Sequence, residues 1–153
     1  MDRVADFAKG CGLSWRRHRI ATLTTSLGAV TLQLMRMAFA HEAVLAMDPL
    51  ADVRAPGAAV TMALCGHWDH DPPCPLAPHH CSADRVGDEV RVRTVFAVEP
   101  ELEDTVRQGI DQALTGGQLA GPDGQTTRWQ LRSSQRGVIQ NNEMDQAQRL
   151  IYS

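Results

Sequence analysis

Residues 65–81, CGHWDHDPPCPLAPHHC, limit what this chain can fold into more than any other stretch. Pro72, Pro73, Pro75 and Pro78 fix their own φ and push the residues before them away from helical geometry. The segment is therefore a stiff loop. It also holds three of the four cysteines and four of the six histidines, with Asp69 and Asp71 between them. Tetrahedral zinc needs thiolate and imidazole donors at this density. A loop already stiffened by proline loses less chain entropy when those donors are fixed around a metal.

Seven donors compete for four places. Cys65 and Cys74 bracket His67 and His70, and His79, His80 and Cys81 close the segment. The preferred zinc ligands are Cys65, His67, Cys74 and His79, with His70, His80 and Cys81 as alternates or supports. Trp68 is placed to shield the site, and Asp69 or Asp71 to accept the outer N–H of a ligating imidazole. Two plainer readings stand beside this one: solvated histidines with unbridged cysteines, or a disulfide among Cys65, Cys74 and Cys81. No Cys-x-x-Cys, His-Glu-x-x-His or zinc-deaminase pattern occurs.

The loop leads into the most regular part of the chain. Residues 89–98, EVRVRTVFAV, put Val90, Val92, Phe96 and Val98 on one face of a strand and Arg91, Arg93 and Val95 on the other. A turn at 86–89 makes residues 81–86 the antiparallel partner. Pro100 opens a helix with acids in its first turn, and Leu102, Val106, Ile110 and Leu114 form its stripe until Gly116-Gly117. Residues 126–132 alternate again as a strand, taken to lie parallel to the preceding one through a right-handed crossover. The expected fold is α+β, a small β-β-α-β domain over 62–136 with one helix on a single face of the sheet. Its expected core is Val90, Val92, Phe96, Val98, Leu102, Val106, Ile110, Trp129 and Leu131. Residues 137–153 are a tail, either a short helix or mobile.

The first 61 residues read differently. Within 20–46, Leu23, Leu27, Val30, Leu34, Met37 and Val44 recur at helical steps, and residues 51–59 have the composition of an Ala/Gly/Pro linker. Residues 1–61 are thus an N-terminal helical extension and linker, and a chain starting at Met62 should fold as well as the whole. The same stretch admits an export signal: basic residues 15–19, an apolar run, and Ala38-Phe39-Ala40 as cleavage site. The charge-free run 20–35 contains six Thr, Ser or Gln, so no stable membrane span is expected. Ala40-His41, Leu45 and Asp48-Pro49 resemble the mature N-terminus of periplasmic copper-resistance proteins. That resemblance covers ten residues and implies copper held by His41 after cleavage, although the many short strands of a β-sandwich are missing.

A net charge of −3 excludes a nucleic-acid binder of the basic-patch kind. No nucleophile, phosphate-loop or dinucleotide motif occurs, so no enzyme is expected. The reading is a small cytoplasmic, non-enzymatic zinc-binding protein, the metal mainly structural and able to shape a surface for a protein partner. The alternatives are an accessory subunit of a larger complex without metal, and an exported copper-binding protein cleaved after Ala40.

Overall fold

A computed structural model describes residues 35–66 and 76–153, and residues Gln33–Ser153 form one compact unit. Along the chain come β1 (Met37–Met47), α1 (Ala55–Cys65), β2 (His79–Val86), β3 (Glu89–Val98), α2 (Glu103–Thr115), β4 (Gln118–Ala120), β5 (Thr126–Gly137) and α3 (Met144–Ile151). Short 3-10 turns at Pro100–Leu102 and Asn141–Glu143 precede α2 and α3. The protein is α+β, with a five-stranded sheet in the order β2-β3-β1-β5-β4 and every neighbouring pair antiparallel. Without the short β4, the order β-α-β-β-α-β is the split β-α-β arrangement.

The β2-β3 hairpin, α2 and β5 lie where the sequence places them. The pairing differs: β5 runs antiparallel to β1 and is not beside β3. The stretch 20–46, read as helix, is strand over Met37–Met47, while residues 20–34 lie outside the described residues. In β1 the side chains of Phe39, Ala43, Leu45 and Met47 join the core under α1 and α2, whereas Ala38 packs on the opposite face with α3. A strand covered on both faces reads as a nearly continuous apolar run, and Ala-rich composition then imitates a helix. The linker read over 51–59 is helical from Ala55, because Pro56 is tolerated in the first turn and Gly66, at φ 76°, ends α1. Gly57 lets α1 approach β2: a Cβ there would lie 3.2 Å from the Cys81 Cβ. The division expected between 61 and 62 therefore cuts α1 and removes the central strand.

Helices α1 and α2 share one core with Val90, Val92, Phe96, Val98 and Trp129. Val106, Ile110 and Leu114 form the buried stripe of α2, and Trp129 Nε1–H donates to Leu114 O at 2.8 Å, tying β5 to the end of that helix. Leu102 is exposed, a correction to the expected core, because it falls in the 3-10 turn ahead of α2. The expectation of one helix on one face also fails. Helix α3 covers the other face through Ala147 and Leu150 against Val95 and Ala97. Arg93 fastens it by donating to Glu143, Glu42 and Val138 O, and that pairing holds the Glu143 carboxyl below its usual range. Among the described residues no helix is long and apolar enough to cross a membrane.

Candidate metal centre

Of the seven donors, Cys65, His79, His80 and Cys81 fall within the described residues; His67, His70 and Cys74 lie outside them. Cys65 is the last residue of α1 and His79 the first of β2, so two rigid elements carry the ends of the loop. They bring Cys65 Sγ to 3.7 Å from His79 Nδ1. Two ligands on one tetrahedral zinc, at about 2.3 Å for sulfur and 2.0–2.1 Å for nitrogen, lie about 3.6 Å apart. The pair already has the spacing of adjacent ligands. Beside it, a cleft of about 500 Å³ is lined in part by Arg54, Ala58, Thr61 and Cys81.

The alternates part from this pair for two reasons. Successive strand residues point to opposite faces, so His80 turns to the α3 side and lines a depression with Arg93 and Glu143. Cys81 shares the face of His79, but its thiol lies 3.4 Å from Thr94 Oγ1. Burial pushes the Cys81 thiol up, and the Thr94 hydrogen bond offsets part of that shift. Among the described residues no three Cys, His, Asp or Glu side chains converge as a metal site. A zinc site at the pair therefore needs donors from outside the described residues.

A second polar cluster went unread in the sequence. His41 lies in the middle of β1, 3% exposed, with Nε2 2.6 Å from Ser134 Oγ and 3.2 Å from Asp111. Ser134 donates to Asp111, and Arg107 lies 3.1 Å from His41 Nδ1 while also donating to Ala40 O and Glu103. A bulge where β5 passes Val44 and Leu45 lets Trp129, Leu131 and Ser134 share one face despite their numbering. The residue types invite comparison with a Ser-His-Asp hydrolytic triad, but the hydrogen positions oppose it. Arginine can only donate, so Nδ1 accepts and the imidazole hydrogen sits on Nε2. His41 therefore donates toward Ser134 and offers it no base. Burial lowers the His41 pKa; Arg107 acts in the same direction and Asp111 against it.

The copper-resistance resemblance would place His41 at a new N-terminus after a cut at Ala40. A cut after Ala40 would fall inside β1, and the ring of His41 is held in the interior. Comparison of the chain with protein-family models, curated proteins and solved structures gives no match.

Proposed function

We propose that this is a small metal-binding protein without catalytic activity of its own, in which zinc clasps the Cys/His loop to α1 and β2. Cys65 and His79 are the ligands carried by the described elements, and His67 and Cys74 supply the other two. The observation that supports this is the 3.7 Å separation of Cys65 Sγ and His79 Nδ1, close to that of neighbouring ligands on zinc. Sulfur and imidazole donors favour zinc over magnesium or calcium, with copper the alternative. The metal's main work is structural, because it joins elements on either side of a loop that has few apolar residues of its own. The clasped loop would also present a fixed surface to a protein partner.

Metal content separates the ligands from their neighbours. Cys74→Ser and His79→Ala should lose zinc, whereas Cys81→Ser and His80→Ala should keep it. Chelation should lower the unfolding midpoint of the full chain, and zinc binding should weaken as pH falls, since both ligand types must be deprotonated. Equal zinc in Cys74→Ser and Cys81→Ser would contradict the assignment and favour an accessory subunit whose loop is merely exposed.

A further inference from the structure

We infer that the outer edge of β2 is an interface for a second copy of this chain: two β2 strands pair antiparallel about a two-fold axis at Ser82 and join two sheets into one. The inference is independent of the metal reading. Strand β2 ends the sheet on one side and β4 on the other, and among the described residues no strand lies outside β2. Exposed edges are normally blunted by shortness, proline, lysine or a bulge. Strand β4 is only three residues long. Strand β2 runs for eight, HHCSADRV, with an unbroken register against β3 and neither proline nor lysine.

The backbone decides which residues of β2 can receive a partner. Ala97 N–H donates to Pro78 O, so by the alternation of an antiparallel pair the even-numbered residues of β2 bond to β3. Cys81, Ala83 and Arg85 therefore turn their N–H and C=O groups outward. A second β2 bonds to them only where odd-numbered residues meet odd, which centres a symmetric pairing on Cys81, Ser82, Ala83 or Asp84. Side chains choose among these. A centre at Asp84 sets two carboxylates face to face, and a centre at Cys81 or Ala83 leaves His80 and Asp84 opposite uncharged residues. A centre at Ser82 puts each exposed His80 opposite the exposed Asp84 of the other copy, twice over, and Cys81 beside Ala83. His80 and Asp84 then form non-hydrogen-bonded pairs, in which side chains approach most closely. The cleft of about 500 Å³ beside α1 is lined by Cys81 and Ala83 from one face of β2 and by His80 and Ser82 from the other, so it follows this edge. One patch meets itself, as a two-fold interface requires.

The test is sedimentation equilibrium of the full chain, with a reductant present so that disulfides do not contribute. Wild type should be a reversible dimer. Ala83→Pro removes an outward N–H, leaves the β2-β3 bonds in place and should abolish the dimer. His80→Asp and Asp84→His should each weaken it about 2–30-fold, because each spoils both symmetric pairs, and the two together should restore it. Wild type that stays monomeric at every concentration overturns the inference and leaves the edge to a strand of another protein. A dimer that Ala83→Pro and both single charge variants leave intact has its interface elsewhere and overturns it as well. If Ala83→Pro does not fold, the charge exchange decides, and failure of the double variant to regain the dimer overturns the pairing at Ser82.

Discussion

A chain that starts at Met62 should show no cooperative unfolding transition. Strand β1 lies between β3 and β5, so its removal strips both neighbours of their partner and uncovers Val90, Val92 and Phe96 from the side. The truncation also takes the first seven residues of α1, with Ala59 and Val60 among them. Burial of Leu45 and Val60 alone is worth about 3–6 kcal/mol. Domains of this size have net stabilities of about 5–15 kcal/mol, and the lost strand pairing adds to the deficit. Urea titration followed by circular dichroism should give a sloping, featureless curve for the truncated chain and a sigmoid for the whole one. A sigmoid with the full-length midpoint would mean that residues 62–153 hold the fold by themselves.

Replacement of Arg107 should cost nearly as much. Its guanidinium is buried, donates to Ala40 O, Glu103 and His41, and lies 5.4 Å over the Phe96 ring. Arg107→Met keeps the apolar stem and leaves a buried carbonyl and the His41 Nδ1 without their donor. A loss of about 3–5 kcal/mol is expected, as for other buried charged groups whose partners are removed. The same site predicts the effect of acid. Burial lowers the His41 pKa in the folded state from its ordinary 6.5, so below that pH the unfolded chain binds the extra proton first. Stability from His41 is complete above about pH 6.5 and declines as pH falls from there toward the lowered folded value. In Arg107→Met the protonated ring no longer meets a guanidinium, so the loss with acid should be shallower than in wild type. Equal midpoints, or parallel acid limbs in the two proteins, would contradict this account of the cluster.

The hairpin and α2 were legible because one side of each pattern is polar. The alternation of Val90, Val92, Phe96 and Val98 with two arginines gives a strand and its inward face together. Strand β1 gave no such contrast. Its two faces pack against different helices, and only His41 and Glu42 interrupt its apolar run. The pairing of β5 was hidden by its bulge, since a strict period of two puts Ser134 on the face opposite Leu131. Without β1 in the sheet, there was no way to see His41 beside Ser134, Asp111 and Arg107.

The candidate centre was legible in its residue types and less so in its geometry. Crowded donors and prolines identify the loop, but the choice among His79, His80 and Cys81 follows from the face each takes in β2 and from Thr94 beside Cys81. The available signal for α1 was a proline suited to a first turn, Pro56, with a glycine stop at Gly66. An Ala/Gly/Pro composition concealed it by suggesting a linker. The helix becomes visible once Pro56 is placed in its first turn.

The central claim is that Cys65 and His79 hold a metal, and zinc content tests it most directly. Full-length protein produced in zinc-containing medium and purified without chelator or added metal is assayed beside Cys65→Ser by elemental analysis. About one zinc per chain is predicted for wild type, with nearly none in Cys65→Ser. Wild type free of zinc, or equal zinc in both proteins, would contradict the claim.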